Sequence, residues 1–288
     1  MKIDLHIHTA CSDGNLHADE VIREASNRNI DLLSLADHDS IECQKKAISL
    51  AKKYGINYIT GIELNVTFPH PSERGKTVSL DFLGYEFDIS NPELKSKLKL
   101  MRQRREVRAQ EILERLNTEL AKEHVAKLDK TDIQKIQDSV DGSFGRPHIA
   151  RYLVEKGIVG NIQEAFDRYL LRLDVPKYPL SLAEASTLIK NAGGILVLAH
   201  PNDPHGTSLV SITPDLEEQT KIIEEYMLEY IDGVECWHFR NDARTTEHYI
   251  QFTKSHDLFL TGGSDCHQKP IIMGKVDIPD YVAAQFTR

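Results

Sequence analysis

Short apolar runs alternate with amphipathic segments through most of this chain, and almost every run ends in a histidine or a carboxylate. Ile3 to His8 is the first extended run, Ile30 to Ala36 the second and Asn57 to Glu63 the third. Between them, Ala18 to Arg28 reads as a helix with Val21, Ile22 and Ala25 on one face, and Ile41 to Tyr54 as a second helix closed by Gly55. That rhythm predicts parallel strands joined by crossover helices. Val66 to Asp88 breaks it: Pro69, Pro71 and Gly75 precede an extended run from Thr77 to Leu83, so a hairpin or strand excursion is expected. The alternation returns at 182–192 (helix), Ile195–Ala199 (strand), 216–230 (helix), Gly233–Trp237 (strand), 243–256 (helix) and Leu258–Thr261 (strand), with a last apolar run at Ile271–Val276. About seven parallel-strand candidates result.

The middle of the chain is different. A long segment from Pro92 to about His124 has no internal Gly or Pro and carries Ala109, Ile112, Leu113, Leu116 and Leu120 on one face. Further helices are expected at Thr131–Gln137, His148–Lys156 and Ile162–Leu171. The expected division is therefore a barrel-like α/β unit from residues 1–91 and 179–288, with a helical insert at 92–178.

Parallel α/β folds place their sites at the C-terminal ends of the strands. Those ends here hold His6 and His8 with Asp13 in the next loop, Asp37-His38-Asp39, Glu63, His200, Cys236-Trp237-His238, and Asp265-Cys266-His267. Side chains alternate along a strand, so His6 and His8 share a face. Taken singly, each motif has an ordinary reading: Asp39 could cap the helix that follows, and Glu63 could be a buried ion-pair partner. Six strand ends carrying such groups in one order point to a metal site. Mixed imidazole and carboxylate donors suit Zn, Mn or Fe, and there are more of them than one tetrahedral ion uses, so two or three divalent ions are expected. The 13 histidines agree with that, as does an acidic balance of net charge −9, which argues against a non-specific coat for nucleic acid or an anionic membrane. Cys11, Cys43, Cys236 and Cys266 lack CxxC spacing and are expected to be reduced thiols of a cytoplasmic protein; no signal peptide or membrane span is read in the sequence.

Asp4-Leu5-His6-Ile7-His8-Thr9, Ser12-Asp13-Gly14, Ala36-Asp37-His38-Asp39, Gly61-Ile62-Glu63, Ala199-His200-Pro201 and Gly263-Ser264-Asp265-Cys266-His267 together resemble the PHP family, the polymerase-and-histidinol-phosphatase phosphoesterases. The resemblance implies a distorted (β/α)7 barrel. Gly145-Arg146-Pro147-His148-Ile149-Ala150-Arg151, the stretch Tyr169 to Pro179 and Gly233-Val234-Glu235-Cys236-Trp237-His238 resemble one subgroup, the 3′,5′-nucleotide bisphosphate phosphatases and related 5′-to-3′ exoribonucleases, whose members carry a helical insert. By position, the resemblance implies His6 and His8 on a first metal completed by Asp265, with Glu63 bridging to a second held by His200. Asp13, His38 and His267 would hold a third. The family usually has a His where this chain has Asp81; that carboxylate takes the position here. Glu63, Asp265 and His200 are the expected catalytic set.

Arg146 and His148 are expected to clamp a phosphate from the insert, and His238 and Arg240 to touch substrate. Arg102, Arg104, Arg105 and Arg108 read as a solvated helix face in preference to an RNA-tracking surface, and His17, His70, His124, His205, His248 and His256 are given no role. The expected activity is metal-dependent hydrolysis of a phosphate ester on a nucleotide or short RNA, with no membrane or duplex DNA partner. Alternatives are a phosphatase for another metabolite such as histidinol phosphate, a non-catalytic metal module, and carbon–nitrogen hydrolysis, which commonly uses a carboxylated Lys where Glu63 stands.

Overall fold

The computed structural model describes residues 1–138, 145–205, 207–269 and 271–286. Seven strands form one sheet in sequence order: β1 (Ile3–Ile7), β2 (Leu32–Leu35), β3 (Asn57–Pro69), β4 (Thr77–Tyr85), β5 (Ile195–Leu198), β6 (Gly233–His238) and β7 (Phe259–Gly263). All residues of β1, β2 and β6 are buried, as strands covered on both faces must be. The crossover helices are α1 (Ala18–Asn27), α2 (Gln44–Tyr54), α7 (Leu182–Asn191), α8 (Leu216–Tyr226) and α9 (Ala243–Ser255). A short α10 (Asp280–Ala284) closes the chain's described part. β1 and β7 come together through the Ile7–Cys266 bridge, with His8 N donating to Cys266 O at 3.1 Å and Asp265 N to His6 O at 2.8 Å. The sheet is thus nearly closed into a barrel, and the Tyr85 hydroxyl donates across it to the Leu5 carbonyl at 2.9 Å.

Two expectations are corrected. The strands are not all parallel: β4 runs antiparallel to both β3 and β5. β3 continues past Glu63 to Pro69, and the chain turns back at Gly75, whose φ of 82° suits a residue without Cβ. The hairpin itself is as expected, and its register pairs Asn65 with Asp81 and Glu63 with Leu83. The last apolar run is not a strand. Gly274 breaks it with φ 68°, and its N–H is held by the Asp4 carboxylate at 2.8 Å.

Between β4 and α7 lie α3 (Pro92–Lys122), α4 (Lys130–Asp138), α5 (Arg146–Glu155) and α6 (Ile162–Ala165), the last followed by a π-turn at Phe166–Leu170. Asn91 caps α3 by accepting from Leu94 N, and Pro92 occupies its first turn. α3 serves two cores. Leu94, Leu98 and Met101 join the barrel core, whereas Ala109 to Leu120 pack with Leu128, Ile149, Leu153, Tyr169 and Leu170 in a separate cluster. No described helix is long and apolar enough to cross a membrane.

Candidate metal centre

The strand ends meet at one mouth. His6 and His8 point inward from β1 with Nε2 atoms 3.1 Å apart. Their approach to β7 depends on Gly263, where a Cβ would overlap that of His6. Glu63 lies at the middle: its Oε1 is 2.9 Å from His200 Nε2 and 3.5 Å from His6 Nε2, and its Oε2 is 2.9 Å from His38 Nδ1 and 3.2 Å from His8 Nε2. Asp265 Oδ1 is 3.3 Å from His8 Nε2 and 3.5 Å from His6 Nε2. Asp13 lies 3.4 Å from His267 Nε2, 3.6 Å from His8 Nδ1 and 3.9 Å from His38 Nε2.

Three groups of donors converge closely enough to hold an ion: His8, Asp13, His38 and His267; His6, His8 and Glu63; and His38, Glu63 and Asp81. Every residue expected as a ligand therefore reaches the centre, Asp81 included. Because β4 is antiparallel, Asp81 reaches the mouth from within its strand and not from its C-terminal end. It accepts from Asn65 Nδ2 at 2.5 Å and from the Thr207 hydroxyl.

The electrostatics favour cations. Burial opposes charge on every group here, yet the carboxylates override it for the imidazoles. His6 is raised well above its ordinary value by Glu235, Glu63 and Asp265. His38 is carried up to about 10 by Glu63 and Asp13, His200 to about 9 by Glu63, and His267 to about 9 by Asp13 and Asp265. In return, against the same burial, Glu63 is held well below the carboxylate range by His38 and His6, and Asp13 and Asp265 by His267 first among the imidazoles. Buried ionised carboxylates gathered with inward-facing imidazoles are a donor set that divalent ions fit, since an ion can replace the protons that now balance the carboxylates.

The backbone is bent to make this possible. Asp39, His200 and Asp265 have φ of 47°, 24° and 52°, a left-handed conformation costing of order 1–3 kcal/mol each that concentrates at functional sites. Asp37 is not placed among the converging donors of the mouth; it accepts from Thr9 N, Thr9 Oγ1 and Ser12 Oγ, each at 2.7 Å, and so shapes the loop that presents Asp13. Asp39 does not cap α2, whose N-cap is Cys43; its carboxylate accepts from Asn65 N at 3.2 Å and from Arg105. The expectation of four free thiols is also corrected: Cys11 and Cys43 form a disulfide, tying the Asp13 loop to the start of α2 across a Cα separation of 6.0 Å. Cys236 and Cys266 are free and buried.

The insert meets this mouth. Arg151 donates to the Asp13 carbonyl. His148 is buried, accepts from Gly145 N at 3.1 Å, and has its pKa lowered by burial and by Arg151. Arg146 pairs with Asp174 at 2.9 Å, a carboxylate it shares with Arg108. A small pocket beside the centre is lined by Asp39, Asn65, Arg104, Arg105, Arg108, Lys177 and Tyr178. In it Lys177 Nζ donates to Asn65 Oδ1 at 2.7 Å, and burial lowers the lysine to about 8. On the other side, His238 is buried 3.6 Å from Asp265 Oδ2, and Arg240 pairs with buried Asp203 at 2.5 Å. A cavity of about 560 Å³ opens here; His38, Asp81, His200, Phe239, Arg240 and His267 are among its walls. His205 also lines it, a residue for which the sequence pattern suggests no role. The same is true of Glu235, Asn65, Lys177 and Asp203. For Glu235 a signal exists, a carboxylate inside a strand that otherwise reads as buried.

A model of the PHP domain matches residues 4–247. The 5′-3′ exoribonuclease of Haemophilus influenzae is 30% identical over 273 residues, 92% of this chain and 90% of that protein. The 3′,5′-nucleoside bisphosphate phosphatase of Chromobacterium violaceum is 28% identical, over 92% of this chain and 87% of its own length. A solved structure from Bifidobacterium adolescentis, described as a metal-dependent phosphoesterase, superposes with a TM-score of 0.80 at 27% identity, covering 98% of this chain and 94% of that one. The chain belongs to the PHP domain family and is a metal-dependent phosphoesterase.

Proposed function

We propose that the protein hydrolyses a phosphate ester of a nucleotide carrying two phosphates, and of short 5′-phosphorylated oligoribonucleotides, in the cytoplasm. One observation carries this reading: the acidic, imidazole-rich centre adjoins a cationic pocket of Arg104, Arg105, Arg108 and Lys177, and Asn65 touches both Lys177 and Asp81. A substrate with one phosphate uses only the first of these; a substrate with two uses both. The relatives named above act, by their names, on a nucleoside bisphosphate and on RNA.

In this reading two or three divalent ions, Mn, Zn or Fe, are held by His6, His8, Asp13, His38, Glu63, Asp81, His200, Asp265 and His267. When bound, such ions supply Lewis acidity to the phosphoryl group and acidify water near neutrality. Glu63, with one oxygen toward His200 and the other toward His38, is placed to span two of them. Residues 1–91 and 179–288 form the catalytic barrel, and the insert at 92–178 reads the distal phosphate. Lys177 and Arg105 face that phosphate first. Arg146 and His148 frame it, Arg146 by holding Asp174 beside Arg108. His238 and Arg240 bound the opposite wall. Arg240 is partly neutralised by Asp203, so it orients substrate more than it adds charge. In a reducing compartment the Cys11–Cys43 bond would stand in exchange with a dithiol.

The test uses metal-reconstituted protein with a nucleoside 3′,5′-bisphosphate, histidinol phosphate and an aryl phosphate. The bisphosphate is expected to be preferred. Lys177→Met should raise KM for it by roughly ten- to hundred-fold, the effect of about 1.5–3 kcal/mol for a hydrogen bond to a charged group, and leave the aryl phosphate nearly unchanged. Equal losses on both substrates, or preference for histidinol phosphate, would overturn the substrate assignment.

A further inference from the structure

A second cavity, of about 770 Å³, lies on the far side of Asp39 from the metal centre. It is a groove between the start of α2 and the first turns of α3. Its apolar lining is Ile41, Ile89 and Leu98, and its cations are Lys45, Lys95, Lys99 and Arg102. Lys95, Lys99 and Arg102 follow at helical spacings of four and three, so one face of α3 presents all three toward Lys45. Arg102 is answered by Glu106 at 3.4 Å and Glu42 at 3.9 Å. The lysines are not: among the described residues no carboxylate oxygen lies within 4.0 Å of Lys45, Lys95 or Lys99.

This arrangement is costly unless an anion uses it. Like charges four apart on a helix destabilise it by about 0.2–0.5 kcal/mol. The chain carries a net charge of −9, so counter-charges are abundant elsewhere on its surface. Asp39, the one carboxylate at the inner end of the groove, is already taken by Arg105 and directly follows His38 of the metal centre. The groove therefore starts at the mouth and leads away from it as a positive track with an apolar floor. That is the combination single-stranded nucleic acid requires, charge for successive phosphates and apolar surface for the bases between them.

We propose that this groove holds the phosphodiester backbone of a single-stranded oligoribonucleotide beyond the nucleotide seated at the metal centre, contacted by Lys45, Lys95 and Lys99. The proposal rests on the nucleotide phosphoesterase reading given above and extends it from a mononucleotide to a chain. It separates two demands: the cationic pocket at Lys177 serves one distal phosphate, and the groove serves those that follow.

The probe is a hexauridylate with phosphorothioate linkages, a 5′-phosphate and a 3′-fluorescein, which keeps its charge and resists hydrolysis. Its binding to the metal-loaded protein is followed by anisotropy across a salt series, for wild type and for Lys45→Gln/Lys95→Gln/Lys99→Gln. The triple variant is expected to bind at least tenfold more weakly near 100 mM salt. Its slope of log affinity against log salt should fall by about two, because each phosphate neutralised on a single strand adds about 0.7 to that slope. Turnover of a nucleoside 3′,5′-bisphosphate should stay within about twofold, which also reports that the variant is folded. Unchanged affinity and slope would overturn the groove assignment even if wild type degrades RNA. Lysine-dependent binding by a wild type that hydrolyses neither bisphosphate nor RNA would overturn the catalytic reading and leave the groove standing.

Discussion

Glu235 touches two groups of the metal centre at once. One oxygen lies 3.0 Å from His6 Nδ1, and the other accepts from His200 N at 2.8 Å. The carboxylate is fully buried and is the natural acceptor for an Nδ1–H, which leaves the His6 Nε2 lone pair facing Glu63 and Asp265. Glu235→Gln keeps the volume but reverses this. Its carbonyl oxygen must stay with His200 N, so its amide N–H₂ turns to His6 and stabilises the wrong tautomer. Metal titration should show affinity weaker by roughly ten- to hundred-fold, the usual cost of removing such a partner, while circular dichroism stays unchanged. Wild-type metal affinity in the variant would sink this role. The ligands themselves are legible in sequence because a period of two puts His6 and His8 together and strand ends collect at one mouth. Glu235 is harder to read, since it acts from the middle of β6 through a histidine it does not follow in sequence. Asn65 and Asp81 meet only through hairpin register, which no single-strand pattern contains.

At the scale of elements, periodicity locates the helices and misses how some of them end. The helix expected at 216–230 stops at Tyr226, and Met227 and Ile231 instead fill the barrel core from the following turns. The insert has its own core and its own polar tie. Asp132 on α4 accepts from Tyr152 Oη at 2.6 Å and from Lys156 Nζ at 2.7 Å, joining α4 to the end of α5. Lys156 first and then Tyr152 hold the carboxylate down to about 2, from an ordinary 3.8. A depressed carboxylate contributes stability that is present above its unfolded value and lost as pH falls through the folded one. Asp132→Asn should therefore lower the unfolding midpoint at neutral pH by about 2–4 °C. The difference from wild type should shrink below pH 3.8 and vanish near pH 2. A difference that persists unchanged at pH 2 would show that the variant acts through packing and not through this charge.

Across the whole molecule, the alternation of strands and helices reveals a barrel, and the histidine-rich strand ends reveal its mouth. The reversed β4 and the Cys11–Cys43 bond escape such a reading because both depend on partners distant in sequence. The barrel gathers its buried charge at one end, and this couples metal loading to global stability. Without ions, the carboxylates at the mouth are balanced by protonated imidazoles: His38 titrates at about 10, and His200 and His267 at about 9. Histidines raised in this way contribute stability fully present below their unfolded value of about 6.5 and lost as pH rises through about 9 to 10. Ions that replace those protons remove that dependence, because ligand imidazoles bind in the neutral form and loading releases protons. Metal-loaded protein at a hundredfold excess over Kd should gain about 2.7 kcal/mol from each ion by mass action. The gap in unfolding temperature between loaded and chelator-treated protein should accordingly widen from about pH 6.5 toward about pH 10, with protons released on titration of metal into unbuffered protein. A gap that stays constant or narrows over that range would mean that the imidazoles are not the groups the ions displace protons from, and the ligand set would have to be redrawn.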